Sequence, residues 1–511
     1  MPQELPGFYY DPERNRYFPL KGPIPGTTAP SRKLLSNPKR ANNVHRRVGI
    51  RISSLLQDRE LCGNAITFNK GKCNFQEECQ KLQVSQPVVC KYQGTDRTGD
   101  AALEQLRVDV LTEEGQRGAD VLLTGSGNGL LNFLEVGNVG EDFDYGEKHM
   151  PDCVWPLTIG NRKEANESLR HVWRWTGGSL LMPSNIAWIK MPGRRSSYTA
   201  DDVSNTHHAL IGTLGSDASR GSVYFLNLRE PLDFNPTSQI MAQRICEVVS
   251  FNGTVWTGDY NPNRYQAVIG TNLGAALVNL ETKVTTWVCR SKSDVMSLQF
   301  DQSGNVVLCG FRNGAIVTLD VRQKQEASSA RLTEHKICYS SNTICEHSKI
   351  IVQNSRKQCF KLKGNIYPSQ TICMPSAICC LESLQFYDQY FLASSMDGSI
   401  KLYDHRLMKK GALQSYEGHV NSHTRMQLGV DPSERFVMSG GEDCYLRIWR
   451  IKSGELLFED KFSDSVLSTV CWTRFGRNPS PKMQNYEEYQ HGQTHNWGAW
   501  LGSYEGLFHI Q

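Results

Sequence analysis

Four apolar strand-like stretches in the C-terminal half of the chain end at a nearly regular spacing. They end at Leu280, Leu319, Tyr403 and Trp449, so the successive spacings are 39, 84 and 46 residues. The clearest unit, residues 295–320, contains an apolar strand, a polar turn, a second strand with small residues, a Gly turn and a third strand. Since 84 is twice 42, all the spacings fit one period near 40–45 residues.

This period, with several short strands per unit, predicts an all-β WD-repeat β-propeller. Weaker units lie at 106–136, 184–228 and 254–281, and a last unit covers 466–511. The count is seven blades, or eight if residues 323–376 form a degenerate blade. Because those residues lack the Gly-Asp turn signals of the other units, we interpret them as an insertion between two consecutive blades.

The last unit supplies only three strands, so its fourth strand must come from upstream, with Val88-Val89-Cys90 as the candidate. Such closure leaves no exposed sheet edge where the ring joins. The domain interpretation is an N-terminal extension over 1–63, a linker with a closing strand over 64–104, and a propeller over 105–511. Two insertions are expected in the propeller, at 137–183 and 323–376.

The N-terminal extension is expected to be mostly irregular and helical. Residues 1–26 are rich in aromatic residues, Pro and Gly, and residues 30–51 carry a run of basic residues with no acid. After this run, Val48, Ile52, Leu55 and Leu56 share one face of a predicted helix over 46–63. Gly63 is the expected stop signal.

Composition excludes several classes of protein. The formal net charge of +4 does not demand a nucleic acid or membrane partner, and no stretch approaches the ~18 apolar residues of a membrane span. The 16 cysteines are scattered without a Cys-x-x-Cys pair, which favours intracellular free thiols, in the nucleus or cytoplasm, over a zinc site. His491 and His495 lie in a polar, Gly-containing loop, so neither a metal nor another cofactor is expected.

A His-Ser-Asp set in the best repeat resembles a catalytic triad, but its spacing is that of a propeller. His419, Ser439, Asp443 and Trp449 fall at the positions where WD repeats form a buried network: Asp to His, His to Ser, and Ser to the indole N–H. No Gly-x-Ser-x-Gly elbow, phosphate loop or His-Glu-x-x-His motif accompanies them. We therefore predict a structural network, no catalytic residues and no enzyme activity.

Two blades end in a motif that points to a partner. Residues 391–406 end in Tyr403-Asp404-His405-Arg406, and residues 307–322 end in Leu319-Asp320-Val321-Arg322. Both resemble the box by which WD-repeat receptors dock on the damage-specific DNA-binding-protein adaptor of cullin-4 ubiquitin ligases. The first copy matches more closely, whereas Trp449-Arg450-Ile451-Lys452 departs from the box and is not expected to dock. An Arg fork just past a third strand suits a carbonyl- or carboxylate-lined groove.

The N-terminal residues strengthen this resemblance. Glu4 to Glu13 followed by Arg16-Tyr17-Phe18 looks like the opening of the family of the cullin-4-associated factor numbered four. Residues 48–63 are similar to that family's docking helix. The resemblance implies a non-enzymatic substrate receptor that holds the adaptor through Arg406, Asp404, Arg322, Asp320, Ile52, Leu55 and Leu56, and presents a substrate protein for ubiquitination.

Two other functions remain open at this stage. One is a scaffold propeller outside any ligase, for which adaptor binding would be absent. The other is an RNA-binding propeller that uses the basic run at 30–51, for which RNA binding would depend steeply on salt.

Overall fold

The computed structural model describes residues 8–11, 16–19, 52–62, 65–68, 71–112, 115–137, 146–156, 170–191, 208–216, 219–233, 236–261, 264–322, 334–340, 357–364, 371–473 and 497–511. The chain divides into two compact units, Met1–Phe75 and Gln76–Gln511. The basic run, Val48, His491 and His495 lie outside the described residues.

The first unit contains two hairpins and one helix. Strand β1 (Phe8–Asp11) pairs antiparallel with β2 (Arg16–Pro19), and β3 (Ala65–Phe68) pairs with β4 (Gly71–Asn74). Helix α1 covers Ile52–Cys62 and ends directly before Gly63, as expected for a residue that stops helices. Residues 46–51 and 63 of the predicted helix lie outside the described residues.

The second unit opens with a helix and a strand. Helix α2 spans Phe75–Ser85, with Glu77 and Glu78 in its first turn, where they complement the helix dipole. Its Val84 is fully buried. Strand β5 (Val89–Tyr92) follows and joins the last sheet of the ring.

Seven sheets of four blade strands follow in the described part of this unit. Blade one consists of β6 (Ala102–Thr112), β7 (Gly115–Gly125), β8 (Leu130–Val136) and β11 (Val172–Leu181). Between its last two strands lie β9 (Glu147–His149) and β10 (Pro151–Trp155). Blade two consists of β12 (Ile186–Lys190), β13 (His208–Thr213), β14 (Gly221–Asn227) and β16 (Ile245–Phe251), with β15 (Leu232–Asp233) and helix α3 (Ser238–Gln243) before its last strand.

Blade three consists of β17 (Val255–Asn261), β18 (Gln266–Thr271), β19 (Gly274–Asn279) and β20 (Thr285–Ser291). Blade four consists of β21 (Val295–Phe300), β22 (Val306–Phe311), β23 (Ala315–Asp320) and β26 (Ile372–Cys373). Between its last two strands lie β24 (Glu334–Ser340) and β25 (Lys357–Gly364).

Blade five consists of β27 (Ile378–Ser383), β28 (Tyr390–Ser395), β29 (Ile400–Asp404) and β30 (Gln414–Tyr416), with a 3-10 turn at Met408–Lys410. Blade six consists of β31 (Gly429–Val430), β32 (Phe436–Gly440), β33 (Leu446–Arg450) and β34 (Leu456–Asp460). Blade seven consists of β35 (Leu467–Trp472), β36 (Ala499–Ser503), β37 (Gly506–Ile510) and β5.

The ring is closed by strands from both ends of the second unit. Strand β5 pairs with β37, with Cys90 opposite His509 and Val89 opposite Ile510, so the upstream closing strand is Val89–Tyr92. The first strand of blade seven contacts the first strand of blade one, as other first strands contact their neighbours. The predicted seven-bladed WD-repeat propeller is confirmed.

Strand direction defines the two rims of this ring. Within each blade the first three strands pair antiparallel in sequence order, so the third strand runs parallel to the first. First and third strands therefore end at the same rim, which we call the lower rim. They begin at the opposite one, the upper rim.

Each blade is buried on both faces because it packs between two neighbours. Strand β23 is buried along its whole length, unlike a sheet with one face in water, whose residues alternate. The small residues expected in the second strands permit this close packing. At Gly310, an added Cβ would lie 2.6 Å from Cγ2 of Ile378 in the next blade, so a larger residue would force the blades apart.

The two expected insertions need correction. In 137–183, residues 172–181 form the fourth strand of blade one, and β10 pairs with β5 at the edge of blade seven. In 323–376, β24 and β25 form a hairpin that extends the sheet of blade three through β20. Residues 372–373 are the fourth strand of blade four, so this insertion lies within a blade rather than between two blades.

None of the helices in the described ranges combines the length and the apolar character that a membrane crossing demands.

Candidate docking surface

A side-chain cap recurs at the end of third strands on the lower rim. In blades two and three, Asn227 and Asn279 accept a hydrogen bond from the backbone N–H two residues ahead, at 3.1 and 3.0 Å. Asp320 and Asp404 do the same in blades four and five, at 2.9 and 2.8 Å. The cap shapes the turn, and it is the charge of the capping residue that distinguishes blades four and five.

In those two blades the capping carboxylate also holds an Arg. Arg406 donates from Nε to Oδ1 of Asp404 at 3.1 Å and from its terminal nitrogen to Oδ2 at 2.8 Å. Arg322 makes the same pair of bonds to Asp320, at 3.0 and 2.6 Å. A two-point contact of this kind fixes the plane of the guanidinium.

These pairs combine a buried acid with an exposed base. The side chains of Asp404 and Asp320 are 3% and 4% exposed, whereas those of Arg406 and Arg322 are 66% and 57% exposed. Hydrogen bonds from Arg406 lower the pKa of Asp404, and the carboxylate in turn raises the pKa of Arg406. Each carboxylate thus braces an Arg whose side chain is more than half exposed, as an interface residue requires.

The two Arg residues lie on the same rim of adjacent blades. The backbone N–H after each capping residue donates to the turn between the first two strands of its own blade: Val321 to Asn305 and His405 to Gln389, both at 2.9 Å. Blades four and five pack directly on each other through their first strands.

Exposed aromatic residues lie on the same rim, and the sequence interpretation missed them. Phe386 and Tyr387 occupy the turn between β27 and β28, and each is 54% exposed. The carboxylate of Glu434 in blade six accepts the backbone N–H of Phe386 at 3.0 Å and that of Gln385, which fixes this turn. Aromatic residues beside an Arg are the composition of an interface core. The sequence could have revealed these two residues, because aromatic residues in a polar turn between strands have no hydrophobic core to pack into.

The lower rim of blade six is occupied by helix α2. Glu77 forms an ion pair with Arg450 at 2.8 Å, Lys81 pairs with Glu455 at 2.8 Å, and Gln80 accepts from Arg435. Blade six has Lys452 at the position of Arg406.

We name the exposed surface of Arg322, Phe386, Tyr387 and Arg406 the docking surface.

Helix α1 departs from the expected presentation of three apolar side chains. Leu55 is only 2% exposed, so it is part of an apolar packing contact and is not presented, whereas Leu56 is exposed. This burial does not fit the presentation expected of Leu55, and the docking role of the helix stays a prediction. The side chain of Ile52 lies outside the described residues.

The expected network in blade six is correct only in part. Ser439 Oγ lies 3.3 Å from Nε2 of His419, and the two ring nitrogens of His419 lie 2.9 and 3.2 Å from the carbonyl oxygens of Gly440 and Gly398. Burial lowers the pKa of His419 and favours the neutral ring.

Two members of that network bond other partners. The indole N–H of Trp449 donates to the Glu417 carbonyl at 2.9 Å instead of to Ser439. Asp443 binds the guanidinium of Arg447 instead of His419. Asp443 binds Arg447 in preference to His419 because a charged, two-point contact is stronger than a hydrogen bond to a neutral imidazole. The His-Ser-Asp set therefore lacks the Asp–His contact of a catalytic triad.

Among the described residues, no group of three or more His, Cys, Asp or Glu side chains could hold a metal ion.

Comparison with known proteins finds relatives named for an association with DDB1 and CUL4. The family model described as the DDB1- and CUL4-associated factor 4 beta-propeller domain matches residues 341–459, which include Asp404 and Arg406. DDB1- and CUL4-associated factor 4 of Bos taurus is 24% identical over 477 residues, covering 89% of this chain and 78% of that protein. The Homo sapiens protein of the same name is 42% identical over 82 residues, 16% of each chain.

A yeast relative is named for its WD repeats. WD repeat-containing protein 21 of Schizosaccharomyces pombe is 26% identical over 187 residues, covering 36% of this chain and 34% of that protein. Together with the seven-bladed ring, these matches identify the chain as a WD-repeat β-propeller protein similar to DDB1- and CUL4-associated factor 4 over most of its length.

Proposed function

We propose that this protein is the substrate-recognition subunit of a cullin-4 RING ubiquitin ligase. In this proposal, the docking surface binds the adaptor DDB1, the damage-specific DNA-binding protein, and another surface binds a substrate protein. Support comes from relatives whose names state an association with DDB1 and CUL4. The observation that carries the proposal is Arg406, braced by buried Asp404 and exposed within the region that matches the family model.

The docking surface has the properties of a specific contact. Arg residues are frequent among the side chains that dominate binding, and aromatic neighbours exclude water around them. Because Asp404 and Asp320 hold the two guanidinium groups before binding, less side-chain freedom is lost on docking. Helix α2 fills the equivalent region of blade six, which confines docking to the neighbouring blades.

A receptor of this kind performs no bond-making step of its own. It holds a substrate close to the ubiquitin-conjugating enzyme of the ligase and so raises the local concentration of the substrate there. The proposed role places the protein where cullin-4 ligases work, in the nucleus or cytoplasm, with no requirement for a membrane, a nucleic acid or a cofactor.

The test is the affinity of the purified chain for immobilised DDB1. We expect Arg406→Ala to weaken binding more than tenfold, and Arg322→Ala to weaken it less because its blade matches the box less closely. Lys452→Ala is the matched control, since Lys452 occupies the corresponding position of blade six. Lys452→Ala should melt like the unmodified chain because its side chain is exposed. Arg406→Ala and Arg322→Ala each remove the cation that pairs with a buried carboxylate, so their affinities are measured at a temperature where melting shows the variants to be folded.

Absence of DDB1 binding by the unmodified chain would favour a scaffold propeller outside any ligase. Equal binding by the Arg406→Ala variant would remove the docking surface from the mechanism even if the chain bound DDB1.

A further inference from the structure

A cavity of about 90 Å³ lies in the middle of the ring. It is lined by residues from first strands, or the segments just before them, in all seven blades. In blades four and seven these are Ser297, Leu298, Ser468 and Thr469, and in blades two and five the lining extends as far as Lys190 and Glu382. Arg425 lies shortly before the first strand of blade six, and first strands begin at the upper rim, so Arg425 reaches the cavity from the rim opposite the docking surface.

The side chain of Arg425 crosses this cavity. Arg425 precedes the first strand of blade six, and its terminal nitrogen donates to the carbonyl of Ala187 in blade two, across the ring, at 3.3 Å. Its other guanidinium N–H groups contact no acceptor within the described part of the chain. A guanidinium has five N–H donors, so most of its hydrogen-bonding capacity is unused.

Ser297 and Asp259, two polar residues on the first strands, bond the neighbouring blade. Ser297 Oγ accepts the backbone N–H of Leu381 at 2.9 Å, and Asp259 accepts that of Phe300 at 2.7 Å. These bonds join neighbouring blades along the channel. Arg425 differs from them because it spans the channel and keeps free donors directed into a cavity.

The cavity carries an excess of positive charge. Its ionisable lining comprises Arg425 and Lys190 as cations and Glu382 as an anion, which leaves one net positive charge. The neighbouring thiols do not alter this balance, since burial raises the pKa of both Cys379 and Cys380 and keeps them neutral. Burial also lowers the pKa of Arg425, which marks the cost of keeping its charge unpaired.

We propose that Arg425 is the centre of a binding site for one carboxylate group of a peptide, inserted into the channel from the upper rim. A monoanion balances the single excess charge, and a carboxylate matches the fork of the guanidinium. The volume far exceeds the ~10–15 Å³ that one water needs, so it admits a group of a few heavy atoms. A folded partner cannot enter a cavity of this size.

The group comes from a chain terminus or from an Asp or Glu side chain, which present the same chemistry. The assignment of this peptide to a ubiquitination substrate rests on the proposed function. The binding itself does not, so it is tested on the full chain without DDB1, and a failure here leaves adaptor docking untouched.

The test is ligand-observed NMR with three short peptides. These are acetyl-Gly-Gly-Gly with a free carboxyl terminus, the same peptide as its amide, and acetyl-Gly-Glu-Gly-amide; inorganic phosphate is the fourth probe. We expect the uncharged amide not to bind, and at least one carboxylate peptide to bind. Binding of the free terminus alone assigns the source to a chain end, and binding of the Glu peptide alone assigns it to a side chain.

The variants are Arg425→Met, which keeps the stem but removes the charge, and Arg220→Met as control. Arg220 is exposed in the turn between β13 and β14, also at the upper rim but outside the cavity. We expect Arg425→Met to weaken carboxylate binding at least tenfold and Arg220→Met to leave it unchanged. Should Arg425→Met fail to fold, Arg425→Lys and Lys190→Met replace it, and each should weaken binding several-fold.

Three outcomes overturn the proposal. They are no binding of either carboxylate peptide, binding of phosphate alone, and carboxylate binding that the folded Arg425 or Lys190 variants leave unchanged.

Discussion

Arg447 donates two parallel hydrogen bonds to Asp443, at 3.0 and 2.5 Å, while its Nε binds Glu459 at 2.9 Å. Arg447 is only 5% exposed, so Asp443 compensates a charge that the propeller has buried. Loss of one partner of such a pair costs more than the pair contributes, because the remaining charge stays out of water.

Asp443→Ala should therefore lower the free energy of unfolding by about 1–3 kcal/mol, because buried Arg447 loses one of its two carboxylate partners and keeps only Glu459. The double variant Asp443→Ala/Arg447→Met should recover part of this loss, which denaturant titration will measure. Asp397→Ala is the control, because Asp397 caps the corresponding turn of blade five through Ser399 alone and is not paired with a cation. If Asp443→Ala and Asp397→Ala lost the same free energy of unfolding, the loss would come from the capped turn and not from the pairing with Arg447.

Asp404→Asn should separate the two roles of the capping residue. An Asn keeps the backbone cap, as Asn279 does in blade three, but removes the charge that holds Arg406. We expect weaker DDB1 binding with nearly unchanged melting. A large fall in melting temperature with unchanged affinity would show that Asp404 serves the fold alone.

Phe386→Ala and Tyr387→Ala should each weaken DDB1 binding several-fold without destabilising the ring, since both side chains are more than half exposed. Leu273→Ala is the control, because Leu273 is an exposed apolar residue in the turn between β18 and β19, at the upper rim. Affinity measured on the same immobilised DDB1 gives the comparison. If the Leu273 variant loses as much affinity, the docking surface has been placed on the wrong rim.

His509 should make the stability of the ring sensitive to acid. Burial, reinforced by the charge of Arg170, lowers the pKa of His509 to about 3, against about 6.5 in the unfolded chain. As the pH falls below about 6.5, the unfolded state takes up this proton and the folded state does not. The contribution of His509 to the free energy of unfolding is therefore fully present above pH 6.5. It is lost at up to about 1.4 kcal/mol per pH unit as the pH falls toward 3.

Denaturant titrations from pH 7 to 4 test this dependence. His509→Gln should reduce the slope of stability against pH by about one proton relative to the unmodified chain. His423→Gln, at an exposed His, is the comparison variant. An unaltered slope in the His509 variant would mean that other groups cause the acid sensitivity.

Truncation should separate the N-terminal extension from the ring. Removal of residues 1–75 should leave the propeller folded and weaken DDB1 binding, whereas removal of residues 1–92 should lower the melting temperature sharply because it deletes α2 and β5. Thermal melting and DDB1 affinity of the two truncated chains provide the measurements. A 1–92 deletion that melts like the 1–75 deletion would contradict the role of β5 in closure.

The repeat pattern predicted the ring, the blade number and the closing strand because these depend on local features: strand length, turn residues and period. The fourth strands of blades one and four were not recognised. Val172 and Ile372 lie far along the chain from the third strands they pair with, at Val136 and Ile316, and spacing carries no information across such gaps. Pairing that is distant in sequence is decided by tertiary contacts.

In the candidate site, too, features that are local in sequence were predicted and contacts between distant residues were not. The Asp-x-Arg endings singled out Asp404 and Arg406, and the structure joins these two residues within one turn. The partner of Asp443 was mistaken because position in a repeat does not reveal which of several nearby donors is charged. Arg425 could not have been singled out, because its location in the channel arises only when blades two and six face each other across the ring.

The pairing of Val89–Tyr92 with Gly506–Ile510 has a consequence for protein synthesis. The first of these strands leaves the ribosome hundreds of residues before the second, so the ring stays open until Gly506–Ile510 has also been made. Blades one to six can form in turn from neighbouring strands, whereas blade seven must await the last strand. During that interval Val89–Tyr92 lacks its native partner, and the nascent chain presents an unpaired edge that invites association with other chains.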